Sequence, residues 1–297
     1  MTRPPSLLAA TDFSDPARHA LERAAQLAAS HPGARLTLAH VISASMLDRL
    51  RSLMHEETTA LETRVAKEAD HALAELAARL AKRHACEVQT RLSQGSPLNA
   101  IADLAEELQT DLLVMGARGT HFVREFMLGS TTERVLRKSR RPLLVVKHRP
   151  HDVYRRVLVP VDFSPHSQTA VETAHHWLPD AEIVLLHAFE VELESTLRFA
   201  SIDDEQIHQY RVVARQEALE SMSSFAASLS VPAARLSRSV VHGPPTLRIL
   251  EHEHSLDTDL IVMGKHGQSA LEEMLLGSVT KHVLAYSSSD VLAVTHT

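Results

Sequence analysis

A single cysteine, Cys86, stands among 297 residues, so no internal disulfide can form, and a reducing compartment suits the chain. No stretch reaches the ~18 consecutive apolar residues of a membrane span. The opening MTRPPSLLAATDFSD holds an apolar run far too short for a secretory signal core, and a cytoplasmic location is expected. The net charge is only −6. No window gathers lysines and arginines into a block fit to grip phosphate backbones or anionic lipid, so neither nucleic acid nor a membrane is expected as a partner. Two familiar phosphate signatures are also missing. The absence of G-x-x-x-x-G-K-[ST], and of G-x-G-x-x-G after a first strand, excludes a P-loop hydrolase and a standard dinucleotide dehydrogenase.

What the chain does have is itself, twice. "GARGTHFVREFMLGST" from Gly116 returns 148 positions later as "GKHGQSALEEMLLGSV" from Gly264. Each copy reads Gly, two residues, Gly, nine residues, Gly-Ser, and each follows an apolar run ending in Val-Met-Gly. "LLAATDFSD" from Leu7 matches "VLVPVDFSP" from Val157, and "PLLVVKH" ending at His148 matches "DVLAVTH" ending at His296. A repeat of this length is a domain duplication rather than a solenoid. The modules span 1–149 and 152–297, joined by the polar hinge Arg149-Pro150-His151-Asp152. With 44% hydrophobic content, each has enough apolar residues for a core.

Short apolar runs alternate with helical periods in both modules, the pattern of a parallel sheet covered on both faces. Strands are expected at Leu7 to Thr11, Leu36 to Val41, Glu87 to Leu92, Leu112 to Met115 and Leu143 to Val146. Their counterparts are Val157 to Val161, Ile183 to Leu186, Leu236 to Val241, Leu260 to Met263 and Val291 to Val294. Ser14, Ser164 and Ser96 read as N-caps with a proline just inside the helix. An amphipathic helix carries Leu61, Val65, Leu73, Leu76 and Leu80 in the first module. The second presents Ile207, Tyr210, Val213, Met222, Phe225 and Leu229 in the same way. The fold class is therefore α/β, with two tandem doubly wound domains of five parallel strands each.

In such sheets ligands settle beyond the carboxyl ends of the strands, where the glycine motifs lie. Gly116, Gly119, Gly264 and Gly267 let backbone come close to a ligand. The helix starts at Gly129-Ser130 and Gly277-Ser278 offer amides and a dipole end to phosphate oxygens. These residues point to an anionic, phosphorylated ligand. A plainer reading stands beside this one: glycine turns and serine caps are ordinary, and Ser130-Thr131-Thr132-Glu133 fits a capping box that occupies the serine. Arg118 and His266, between the first glycines, either reach a phosphate or stay solvated, and solvation is the reading taken here.

With those motifs, the sequence resembles the universal stress protein family in its tandem form. That family is marked by G-x2-G-x9-G-[ST] after the fourth strand and an aspartate ending the first, and the resemblance covers essentially the whole chain. It implies strand order 3-2-1-4-5 and pairing of the modules through their last strands, while further association of two chains stays open. Some members bind ATP. Carried over by position, Asp12 and Asp162 lie at the adenosine end with backbone near Val41 and Ala188, Pro160 precedes the second aspartate, and Met115 and Met263 flank the nucleoside. Gly116, Gly119, Gly129, Ser130 and Thr131 line one phosphate path, and Gly264, Gly267, Gly277, Ser278 and Val279 the other. The first module departs from the pattern by carrying Ala10 where the second has Pro160.

The expected ligand is thus an adenine nucleotide, ATP, with Mg2+ as a possible companion. Glu272 and Glu273 could hold that ion, although a charged pair on a loop is more often solvated. Catalysis is not expected: no carboxylate is placed for phosphoryl transfer, and "TDFSDPAR" lacks the H-x-G-H of nucleotidyl transferases with related architecture. A nucleotide-free scaffold and a weak ATPase remain the alternatives. Among twenty histidines, His252/His254 and His175/His176 lack the i, i+4 spacing of a helical metal set. His40 and His187 recur at second-strand ends and read as inherited structural positions. Cys86 reads as a small apolar group rather than a redox sensor.

Overall fold

The computed structural model describes residues 3–54, 58–119, 128–191, 203–267 and 276–295. Two compact units divide between Val153 and Tyr154. Arg23, 7% exposed, donates to the Asp152 carbonyl at 2.7 Å. This holds the end of the hinge on the first unit.

The first unit runs β1 (Ser6–Thr11), α1 (Asp15–Ala29), β2 (Arg35–Ser43), α2 (Ala44–Met54), α3 (Thr58–His84), β3 (Glu87–Gly95), α4 (Pro97–Glu107), β4 (Leu112–Gly116), α5 (Ser130–Lys138) and β5 (Leu143–Val146). Its strands lie parallel in the order β3-β2-β1-β4-β5. The second unit has β6 (Arg156–Pro160), α6 (Pro165–Trp177), β7 (Glu182–Phe189), α7 (Asp204–Ser228), β8 (Leu236–His242), α8 (Pro245–Ser255), β9 (Leu260–Gly264), α9 (Ser278–Tyr286) and β10 (Asp290–Val294). It repeats the order as β8-β7-β6-β9-β10. Both sheets thus have the doubly wound order implied by the resemblance.

The central strands are apolar on both faces because helices cover both. Leu7, Leu8, Leu112, Leu113 and Leu143 are at most 1% exposed, and each such side chain contributes about 1.5–3 kcal/mol of transfer free energy. The expected caps of α1 and α6 are made: Ser14 accepts from the Ala17 amide and Ser164 from the Ser167 amide, each at 3.3 Å. Ser96 occupies its N-cap position without a side-chain bond.

The duplication reaches into the backbone. Gly95 and Gly243, which precede the matching helices α4 and α8, have φ of 127° and 126°, a region glycine enters without Cβ strain. Gln109 and Asp257 share φ of 48° and 50° although their side chains differ.

The helix α7 departs from expectation. Ile207, Met222, Phe225 and Leu229 are buried, but Tyr210 is 53% and Val213 55% exposed. No residue from His208 to Glu217 is buried. Periodicity marks which side chains share a stripe, and only the neighbouring elements decide whether that stripe meets a surface.

Candidate nucleotide crevice

The tips of β1 and β4 come together through two glycines that do different work. Gly116 lies where α1 crosses the strand. A Cβ there would stand 2.8 Å from the Pro16 carbonyl oxygen and 2.9 Å from its carbon, so this glycine lets helix and strand touch. Gly119 instead faces a side chain, and a Cβ there would meet Asp12 Oδ2 at 2.6 Å. In the second unit a Cβ on Gly264 would stand 2.9 Å from the His266 carbonyl oxygen in the following loop and 3.0 Å from the Cβ of His166 on α6, and one on Gly267 would stand 3.1 Å from Asp162 Oδ2.

Each aspartate is fixed by the turn it opens. Asp12 Oδ1 accepts from the Ser14 amide at 3.0 Å and its hydroxyl at 2.5 Å. Asp162 Oδ1 accepts from the Ser164 amide and hydroxyl at 3.1 and 2.5 Å, and also from the Ser167 hydroxyl at 2.6 Å. The first unit has Ala17 at that last position, which carries no hydroxyl.

The helices α5 and α9 open differently from a capping box. Their N-caps are Gly129 and Gly277, and neither has a side-chain capping bond. Ser130 is therefore already the first helical residue, and Glu133 turns along the helix to Arg137 at 2.8 Å. The cap has moved because the Gly129 amide is drawn back to the Ala117 carbonyl at 2.8 Å, as the Gly277 amide is to that of Lys265 at 2.9 Å. With no side-chain cap, neither helix start gives its first amides the partner that a cap residue would supply. Ser130, Thr131 and Ser278 are exposed and Val279 is half-buried, while Met115 and Met263 are buried at the strand tips. Val41 and Ala188 are half-buried near the ends of β2 and β7, and Pro160 ends β6.

The profile of the Universal stress protein family matches residues 5–147 and again residues 153–295. The chain belongs to the universal stress protein family. A universal stress protein of Methanocaldococcus jannaschii is 29% identical over 154 residues, which are 48% of this chain and 95% of that protein. One from Mycolicibacterium smegmatis is 26% identical over 220 residues, 72% of this chain and 71% of its own. The solved structure of a universal stress protein from Archaeoglobus fulgidus aligns over 98% of both chains, with a TM-score of 0.69 at 21% identity, which shows a shared fold.

Several residues of these universal stress protein units were not singled out by their spacing. Thr132 and Thr280 donate to the carbonyls of Gly116 and Gly264 at 2.9 Å each, tying the start of α5 and α9 to the strand tip. They recur in register, a signal the alignment of the two halves carries. Lys265 stands where the first unit has Ala117 and is only 3% exposed. Burial lowers its pKa from 10.5 to about 8. His266 was read as solvated, yet its Nδ1 is buried with no hydrogen-bond partner, and its ring lies 6.1 Å from that of His166.

The recurring histidines bond backbone: His40 Nδ1 reaches the Thr11 carbonyl at 2.7 Å and His187 Nδ1 that of Val161 at 2.8 Å. His175 pairs with Arg235 at 2.7 Å and His252 with the Arg248 carbonyl at 3.0 Å. Burial pushes the half-buried Cys86 thiol up, away from the reactive thiolate. Glu272, Glu273 and His296 lie outside the described residues. Among the described residues, no helix is long and apolar enough to cross a membrane.

Proposed function

We propose that each unit binds an adenine nucleotide, with ATP the expected form, and that occupancy regulates the protein in a stress response rather than driving turnover. In this reading Asp12 and Asp162 take the nucleoside end, beside Val41 and Ala188. The starts of α5 and α9 take the phosphates, with Ser130, Thr131, Ser278 and Val279 around them. A Mg2+ ion would arrive on the phosphates. The observation that carries the proposal is the approach of Gly119 to Asp12 beside a helix start with no side-chain cap at Gly129, repeated by Gly267, Asp162 and Gly277 in the second unit. A side-chain-free approach next to a helix start suits a phosphorylated ligand. Pairing of the units through their apolar last strands, and a cytoplasmic location, belong to the same reading.

A nucleotide-free scaffold is the second reading, and a specific observation favours it. Gly116 and Gly129 already have packing reasons to be glycine, since a Cβ would crowd Pro16 backbone in one case and the Ala117 carbonyl, at 3.2 Å, in the other. One experiment separates the two: purified protein is denatured, and the released material is measured by absorbance and mass. Adenine nucleotide in the supernatant, together with loss of binding in Gly129→Asp and Gly277→Asp, supports the first reading. Wild-type protein that neither carries nor takes up nucleotide leaves the scaffold.

A further inference from the structure

At the tip of each first strand the chain adopts a conformation that bulky residues resist. Phe13 has φ of 65° and Phe163 of 63°, the left-handed region where a side chain other than glycine, asparagine or aspartate is rare. Backbone strain of this kind persists only where the surroundings over-determine it, and it gathers at functional sites. Here each ring has its own apolar neighbours and a histidine common to both units. Phe13 packs on the cluster of Ile42, Leu47 and Ala69, and Phe163 lies 5.7 Å from Phe225. A histidine from the second strand lies over each ring, His40 at 4.4 Å and His187 at 4.3 Å between centroids.

The same histidines hold the other side of the turn. Their Nδ1 atoms bond the carbonyls of Thr11 and Val161, the residues just before the aspartates. A carbonyl oxygen only accepts, so Nδ1 is the donor in each bond. The aspartate thus stands between two groups that one imidazole grips, a carbonyl on one side and a phenyl ring on the other.

We propose that His40 and His187 are positioning residues for ligand binding: each holds its strained turn so that the carboxylate of Asp12 or Asp162 faces the backbone of Gly119 or Gly267. This rests on the nucleotide reading, because it takes those carboxylates as contacts to the nucleoside. The histidines act through the aspartate, on the nucleoside half of the ligand, and leave the phosphate half at α5 and α9 untouched.

The test compares ATP with inorganic tripolyphosphate, titrated by calorimetry into the full chain. The double variant His40→Phe/His187→Phe keeps a ring over the phenylalanine and removes the donor. It is expected to raise the Kd for ATP roughly three- to tenfold, the worth of one neutral hydrogen bond, and to leave that for tripolyphosphate unchanged. His40→Gln/His187→Gln, which restores a donor, should recover most of the ATP affinity. An unchanged ATP Kd overturns the proposal, and so does an equal loss for both ligands, which marks a general folding role. Should the phenylalanine variant not fold, imidazole 15N resonances of the wild-type protein answer the question. They must shift with ATP and stay with tripolyphosphate, and resonances that ignore ATP overturn it. Wild-type protein that binds no nucleotide removes the function proposed above, a result distinct from either.

Discussion

Gly119 comes so near Asp12 that a methyl group added to the glycine would stand 2.6 Å from the carboxylate Oδ2. That approach joins the end of the first strand to the loop after the fourth, at the crevice proposed for the first unit. Because the obstacle is an exposed side chain and not backbone, Gly119→Ala is expected to push the carboxylate aside with little loss of stability, within about 0.5 kcal/mol. Nucleotide affinity at the first unit should fall roughly three- to tenfold. Calorimetric titration beside thermal unfolding checks both halves, and affinity equal to wild type would count against the crevice.

Gly116→Ala should do the reverse. Its added Cβ would press on the Pro16 carbonyl, which α1 cannot move cheaply, so a loss of about 1–3 kcal/mol in the first unit is expected. Thermal unfolding followed by circular dichroism reads it. A variant as stable as the parent contradicts the close helix crossing.

Thr132→Val keeps the shape of the side chain and deletes its bond to the Gly116 carbonyl. The buried oxygen loses its partner, at a cost of about 1–3 kcal/mol. Hydrogen exchange of α5 should quicken in the variant. Unaltered protection there would mean that the helix start is held by other contacts.

Lys265 gives a pH dependence of definite sign. The folded second unit releases this proton near pH 8, the lowered value, and the unfolded chain near 10.5. Between those values the unfolded chain binds more protons, so stability rises with pH across that window, and this group's penalty is full below it. The swing amounts to about 3 kcal/mol. Lys265→Met should remove the rise. Urea unfolding at pH 7 and at pH 10 reads it through Trp177, the lone tryptophan, which is 3% exposed in the second unit. A methionine variant with the parent's slope refutes the assignment.

The crevice was partly legible in the spacing. The motif placed Gly119 and Gly267 at a strand tip, and the strand-end aspartates Asp12 and Asp162 stand where position predicted. Spacing did not separate Gly116, which meets helix backbone, from Gly119, which meets a carboxylate, since both are a glycine beside a strand end. Nor did it foresee that Gly129 would take the N-cap from Ser130. That outcome depends on the Ala117 carbonyl, a residue twelve positions earlier brought close by the turn of the loop. The exposure of Tyr210 and Val213 was hidden for a similar reason: a helix's stripe is local, and its cover is not.

The sequence by itself determined the duplication, the strands, the serine caps of α1 and α6 and the α/β class, because apolar period and turn chemistry act between near neighbours in the chain. The tertiary structure decided which glycine meets backbone and which a carboxylate, that Phe13 and Phe163 would be forced into the left-handed region beneath His40 and His187, and that Lys265 would be buried where Ala117 is in the first unit. Those outcomes depend on distances between segments far apart in the chain, and such distances exist only once the sheet has brought the segments together.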